Sequence, residues 1–409
     1  MHTIALITYD ISPYRGSEAA VSWNFVTKMH KYARLIVIYG GSQDEVERYV
    51  SATPLENVEW VFVPKKELPP VGKGLREDFY YLVYYMQWHR EVARIVGGLV
   101  DSGSVDLIHY LNPIGFKEPG WCWKIKSVPY VWGPVQGVDN RPLRLYKTMG
   151  VKGTIAAIVR RIVHNGLFMF HPRVRKAFKR ADALFGATPA TVRGLKRYHN
   201  KDVMYLPENG ITKMLVDAPI ELKSDQRINL IWIGVLDEYR KAFGLLLDIL
   251  LKVKSDNWHI DIFGGGETNL ANKAKIKALG RHITLHGKVS RDVVQKHLAQ
   301  SHLHIISSLG EATTTVLFEA MTHGVPTMTL NHCGMSGVVC ERCGIKIPIE
   351  SYEQVVGQMS SAIDGLIENP EKVKELSQGV ISCSENFMWD RRVKIFTDTY
   401  SSLVNSYKD

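Results

Sequence analysis

The chain has 409 residues, 45% hydrophobic and 22% charged, which excludes an intrinsically disordered protein and gives room for two domains of ordinary size. Lys and Arg number 51 against 41 for Asp and Glu, a net charge of +10, so anionic partners are expected: nucleotides, a membrane surface or nucleic acid. No apolar run is long enough for a membrane span, the opening MHTIALITYD has no basic segment, and an odd five cysteines argue against a disulfide framework; neither a signal peptide nor a transmembrane helix is expected.

Residues 3–9 (TIALITY) read as a buried parallel strand, and 10–32 as a loop followed by a helix. Ser17 suits an N-cap, Glu18 favours the first turn, and Val21, Phe25 and Met29 share one face. The loop with Arg15 and Gly16 then lies at the carboxyl end of the first strand, where open α/β sheets bind ligands; a plain strand-to-helix turn is the alternative. A strand at 35–40 and a mixed segment to about residue 70 lead to the aromatic stretch 78–96, read as a partly buried helix or a surface that touches lipid. Strand 105–110 is expected to end at His109, near the level of the first loop. Residues 129–139 give another buried strand and a Gly-Pro-Val-x-Gly loop.

Between residues 141 and 180 there are eleven Lys and Arg and no Asp or Glu. Within this stretch, 154–170 sets apolar residues at helical spacing beside Arg160 and Arg161, a pattern similar to a basic amphipathic element at an anionic membrane interface. A solvated charged face is the alternative, and no nucleic-acid-binding module accompanies the charge. A strand at 183–188, a helix from Pro189 and the turn Pro207-Glu208-Asn209-Gly210 close the first half.

The α/β alternation restarts after a linker near 211–227, which marks a second domain. Strand 228–234 leads into the segment 235–253, and strand 258–264 ends in Gly264, Gly265 and Gly266, a tight turn that lets a ligand approach the backbone. Strand 283–290 and helix 291–301 deliver the chain to 305-IISSLGEATTTVLFEAMTHGVPTMTL-330. Here a short strand enters a small-residue loop and then a helix taken to carry both Glu311 and Glu319, which at that spacing would lie within about 80° of each other. Ser307, Ser308, Gly310, Thr313, Thr314 and Thr315 place hydroxyls and backbone N–H groups at the helix start, an arrangement that readily binds phosphate. The plain alternative is an amphipathic unit with two solvated glutamates. Cys340-x2-Cys343 with His332 and Cys333 is a weak zinc pattern, because adjacent His-Cys ligands are awkward.

Glu311 and Glu319, flanked by Ser307-Ser308, by Val-Leu-Phe-Glu-Ala-Met and by Gly324-Val325-Pro326, resemble the Glu-x7-Glu motif of the retaining glycosyltransferases of GT-B fold, the family numbered four. The resemblance covers nearly the whole chain. It implies an α/β protein of two Rossmann-like domains facing a central cleft: residues 1–210, completed by a C-terminal helix at about 385–409, for the acceptor, and residues 222–384 for a nucleotide-sugar donor. In the family the first Glu contacts the donor sugar and the second binds the ribose, roles that fall to Glu311 and Glu319. Gly16-Ser17-Glu18 with Trp23-Asn24 resembles the first-loop signature of one subgroup, in which this loop approaches the reaction centre. A histidine against the donor sugar is carried over to His109, although overlaying the family pattern puts Leu111 at a second histidine position. Lys241 matches the diphosphate lysine, while Val235 stands where an Arg is expected; Arg240 or Arg15 is the expected substitute. The loop to Val289 is where the family lodges the base.

The implied reaction is a metal-independent, retaining hexosyl transfer without a cofactor, since no two aspartates stand two residues apart to form an Asp-x-Asp metal clamp. The donor would be UDP- or GDP-linked. The acceptor would be a lipid-linked saccharide or a lipopolysaccharide intermediate of bacterial polysaccharide assembly, reached by peripheral binding of residues 141–180 to the cytosolic membrane face, with no role for nucleic acid. A nucleotide-sugar 2-epimerase of the same fold and a non-catalytic basic binding protein are the rival readings.

Overall fold

The computed structural model describes residues 1–66, 75–223 and 225–408, with the side chains of Ser17 and of residues 75–79, 81, 147–152 and 408 outside the description. The chain forms two compact units, each around one parallel sheet. Unit 1 comprises Met1–Val138, His164–Glu208 and Trp389–Asp409; unit 2 comprises Asp139–Val163 and Asn209–Met388. The expected N-terminal domain, 1–210, therefore differs at one segment: residues 139–163 group with unit 2, where Leu145 joins the core and Arg144 Nη1 donates to the Ile349 carbonyl at 3.4 Å.

Unit 1 is built from β1 (Thr3–Thr8), α1 (Ser17–Met29), β2 (Arg34–Tyr39), α2 (Gln43–Ala52), β3 (Val58–Phe62), α3 (Leu75–Asp101), β4 (Leu107–Asn112) and β5 (Tyr130–Val135). Then follow α4 (Gly150–Phe170), which begins in unit 2, α5 (Pro172–Arg180), β6 (Ala183–Gly186), α6 (Pro189–His199) and β7 (Met204–Tyr205). The strand order is β3-β2-β1-β4-β5-β6-β7, all parallel. Its strands are near-continuous apolar runs because both faces are covered. Alternate residues divide between two cores. Ala5, Ile7, Ile36, Ile38, Ile108 and Tyr110 meet Trp88, Val92 and Val96 of α3. Ile4, Leu6, Leu35, Val37 and Leu107 meet Phe25, Val26 and Met29 of α1. The C-terminal helix packs on this second face through Trp389, Val393, Phe396 and Tyr400.

Unit 2 continues with β8 (Ile228–Ile233), α7 (Phe243–Leu251), β9 (Trp258–Phe263), α8 (Leu270–Leu279), β10 (Ile283–Gly287), α9 (Arg291–Leu298) and β11 (Leu303–Ile306). Next come α10 (Thr315–Thr322), β12 (Thr327–Leu330), α11 (Met335–Val338), β13 (Gly344–Ile347), α12 (Tyr352–Glu368) and α13 (Glu371–Ser384). The closing helix α14 (Trp389–Lys408) belongs to unit 1. The order β10-β9-β8-β11-β12-β13 is again wholly parallel.

Two expected helix boundaries shift in the structure, and one loop is fixed by side-chain bonding. Within 235–253, α7 begins at Phe243; before it the Asp237 carboxylate takes the backbone N–H groups of Arg240 (2.5 Å) and Lys241 (3.2 Å) and holds 235–242 as a loop. Glu311 is not helical: α10 starts at Thr315 with Thr314 as its cap, so only Glu319 of the pair lies on the helix. The cap of α1 is Gly16, with Ser17 its first helical residue.

Candidate functional site

In unit 2 the strand order reverses between β8 and β11, so the carboxyl ends of these neighbours open the crevice where doubly wound sheets bind ligands. Backbone approaches there are too close for side chains. Gly264 has φ +133°, and a Cβ on it would lie 1.8 Å from the Gly234 carbonyl oxygen. The loop after β8 is bound to the end of β11: the Leu309 N–H donates to the Arg240 carbonyl (2.8 Å) and Ser307 Oγ to the Lys241 carbonyl (2.7 Å). Trp232 Nε1 donates in turn to Ser307 Oγ at 3.1 Å. Ser307 thus acts as a buried brace between strand and loop.

This bracing presents Lys241 to Glu311. Lys241 Nζ lies 2.7 Å from Glu311 Oε1, and Arg240 Nε approaches the same oxygen at 3.7 Å. The pair sits just before the N-terminus of α10, where the helix dipole contributes roughly half a positive charge. Thr313 is buried beneath Gly334, whose N–H donates to the Ala312 carbonyl at 2.9 Å; a Cβ on Gly334 would meet that oxygen at 2.1 Å. Asn209 Nδ2 donates to Thr315 Oγ1 at 3.3 Å. The loop is therefore held in shape from three sides before any ligand arrives.

Glu319 faces Arg291, the first residue of α9, with Nη2 at 2.8 Å from Oε1. Val289, two residues past β10, is partly exposed. Gly264, Val289, Lys241, Glu311, Thr313, Thr314, Thr315 and Glu319 all lie at or beyond the carboxyl ends of unit 2 strands.

Sequence reading missed Arg141. Its guanidinium stacks on the Tyr239 ring at 3.5 Å from the centroid, with Arg160 over the same ring at 5.1 Å. Arg141 packs against the turn that leads to Glu311, since a Cβ on Gly310 would lie 2.8 Å from Arg141 Nε. Among the described residues its Nη1 is buried without a hydrogen-bond partner, and burial lowers the guanidinium pKa. An unpaired buried guanidinium nitrogen costs free energy unless a ligand satisfies it. No local pattern connects position 141 with 239 or 310; the basic stretch around it was the sole signal.

The unit 1 residues take different places. Arg15 is committed to two carboxylates, Asp10 at 2.9 Å and Glu45 at 3.1 Å, so within its own unit it is not a spare cation. Gly16 has open space around it. Burial raises the Glu18 pKa, and Asn112 Nδ2 donates to the Glu18 carbonyl at 3.1 Å. His109 is fully buried in mid-strand because β4 runs on to Asn112 instead of ending near it. One ring nitrogen pairs with the Tyr400 hydroxyl (2.6 Å) and the other with the Gly133 carbonyl (2.7 Å); burial lowers its pKa to about 4. Both nitrogens are occupied, and the geometry does not support the contact with a donor sugar expected of it.

Two parallel α/β units, with a basic, glycine-shaped crevice at the strand-order reversal of the second, define the class: the protein has the GT-B fold. The more particular kinship lies in unit 2, where residues 227–369 match the family model described as glycosyl transferases group 1. Among solved structures, the lipopolysaccharide outer core galactosyltransferase WaaB aligns over 98% of this chain and 99% of its own at 15% identity, with a TM-score of 0.64. Sucrose-phosphate synthase from Thermosynechococcus elongatus aligns over 99% and 100% at 14% identity, TM-score 0.65. Anabaena HepE, solved in complex with UDP-glucose, aligns over 99% and 100% at 14% identity, TM-score 0.58. At such identities the likeness concerns the fold. No curated protein sequence matches the chain.

Proposed function

We propose that the protein is a retaining glycosyltransferase that takes a sugar from a nucleotide-sugar donor bound by unit 2. The observation that carries this reading is the Lys241–Glu311 pair, held at the mouth of α10 with Arg141 beside it. In the proposed reaction an acceptor hydroxyl attacks the anomeric carbon on the face from which the diphosphate departs. The new C–O bond forms as the bond to the phosphate oxygen breaks; the electron pair leaves with the nucleoside diphosphate, which takes up the hydroxyl proton. Lys241, Arg141 and the α10 N-terminus stabilise the charge that develops on the diphosphate. Glu311 orients the donor sugar and Glu319 accepts from the ribose, Arg291 holding its carboxylate. Arg141 supplies the cation that Val235 does not.

The acceptor we infer is a saccharide carried at an anionic membrane surface, as in a lipid-linked or lipopolysaccharide intermediate. Supporting this, α4 leaves Ile155, Val159, Ile162 and Val163 more than half exposed, at helical spacing beside Arg160 and Arg161. Exposed apolar residues flanked by cations suit an interfacial helix. Among the described residues no helix is long and apolar enough to cross a membrane.

Thermal shifts against a panel of UDP-, GDP-, ADP- and TDP-sugars without added metal test the donor reading. A ligand at about 100 times its Kd stabilises the folded state by about 2.7 kcal/mol. One nucleotide class should raise the melting point of the wild type and not of Glu319→Ala. Stabilisation of both proteins alike, or of neither, would sink the proposed donor site. NMR of the transferred product should show the donor's anomeric configuration; inversion would overturn the front-face route.

A further inference from the structure

Three of the five cysteines meet in space although the sequence separates them. Cys340 Sγ lies 3.2 Å from Cys343 Sγ and 3.4 Å from Cys383 Sγ, and all three sulfurs fall within 4.8 Å of one another. Cys340 and Cys343 stand at the two ends of the turn between α11 and β13, and Cys383 near the end of α13. All three are free thiols.

Two features show a turn shaped around sulfur. First, the turn closes on itself around the sulfurs: the Cys340 N–H donates to Cys343 Sγ (3.1 Å) and the Cys343 N–H to the Cys340 carbonyl (3.0 Å). Second, α13 approaches the turn through Gly379, where a Cβ would lie 1.8 Å from the Arg342 carbonyl oxygen. Gly379 precedes Cys383 by four residues, one helical turn, so it shares its face. A mid-helix glycine costs about 1 kcal/mol relative to alanine; here it lets the helix come close enough to deliver the third sulfur. Arg342 Nη2, 3.8 Å from Cys383 Sγ, supplies positive charge beside the cluster.

We propose that Cys340, Cys343 and Cys383 form a thiolate site for a soft divalent metal ion, zinc being the expected occupant, with solvent completing the coordination. Three sulfurs at turn–helix contact distance match the soft-ligand preference of zinc, whose bonds to sulfur are about 2.3 Å. Each thiol releases its proton to solvent as it coordinates, so three thiolates and one divalent ion leave a net single negative charge that Arg342 offsets. The bound ion would pin the α11–β13 turn to α13. These residues share a core with Leu317 and Phe318 of α10, so the metal would brace the helix whose mouth carries Glu311. The site differs from the Cys340-x2-Cys343 pattern with His332 and Cys333: His332 and Cys333 group instead with Asp139.

The test does not depend on the transferase reading. Protein purified under reducing conditions is loaded with zinc or cobalt and dialysed; metal per chain is measured by mass spectrometry of the elements, and sulfur-to-cobalt charge-transfer absorption is recorded. About one ion per chain is expected in the wild type and in Cys122→Ser and Asp261→Asn, with the charge-transfer band present. Cys383→Ser should weaken zinc at least about tenfold, and Gly379→Ala, which leaves every thiol in place, should do the same. If Cys383→Ser fails to fold, Cys340→Ser, at the partly exposed corner, must show the loss. Absence of bound metal in the wild type overturns the proposal. So does retention by both cysteine variants with loss in His332→Ala, or a chain mass two hydrogens lower with two thiols missing, which would mean a disulfide.

Discussion

His109 is neutral at physiological pH because burial opposes its charged form, and its two nitrogens bind Tyr400 and Gly133. Its folded pKa of about 4 lies below the unfolded value of about 6.5, so its contribution to stability is fully present above pH 6.5 and is lost as pH falls toward 4. His109 alone should make the protein about 2 kcal/mol less stable at pH 5 than at pH 8 by urea unfolding, and His109→Asn should flatten that slope. Tyr400→Phe, which strands one ring nitrogen, should cost about 1–3 kcal/mol of stability and leave transfer activity in place, because the pair supports the α14 contact and does not touch substrate. Arg141 behaves differently. Arg141→Ala should weaken nucleotide-diphosphate binding about tenfold or more by calorimetry, the worth of a charge-assisted hydrogen bond, with little effect on melting temperature in the absence of ligand. Equal affinity in the variant would return the missing cation to Arg240.

At the scale of elements, glycine-shaped contacts and exposed faces decide what each can do. The β9 end depends on Gly264, whose positive φ and contact with the Gly234 carbonyl exclude any side chain. Gly264→Ala should destabilise the protein by several kcal/mol, seen as a drop in melting temperature, and should lose nucleotide binding with it. The α4 helix is the opposite case, with Ile162 66% and Ile155 56% exposed. Changing Ile155 and Ile162 together to Asp should leave the melting temperature within about 1 °C, since little packing is lost. The same change should abolish co-sedimentation with vesicles containing anionic lipid. Unchanged vesicle binding would show that the face is merely solvated.

At the scale of the molecule, the excess of ten positive charges and the acid-free stretch 141–180 predict that the proposed association with anionic surfaces is salt-dependent. Vesicle binding should fall as ionic strength rises from about 0.05 to 0.5 M, whereas a donor held through direct contacts to the largely buried Lys241 and Glu311 should change less. Two separately cored units also give an internal control: a nucleotide should shift the unfolding of unit 2 and leave the transition of unit 1 near its ligand-free position wherever the two resolve.

The sequence by itself determined the class of fold, because apolar strand runs and helical periodicity are local signals, and a chain that alternates them twice has few ways to bury both. It also put forward Lys241, Glu311 and Glu319 as site candidates, because the motifs that resemble the family's pattern are contiguous in the chain. Tertiary structure alone decided the rest. The Asp237 carboxylate fixes 235–242 as a loop by taking two backbone N–H groups, and α10 begins only at Thr315, after Glu311. The further run of β4 withdraws His109 from the strand end. Arg141 reaches Tyr239 across 98 residues of chain, and Cys383 reaches Cys340 across 43. Contacts of that span leave no period in the sequence, because they are set by which faces the sheets and helices bury and not by neighbours along the backbone.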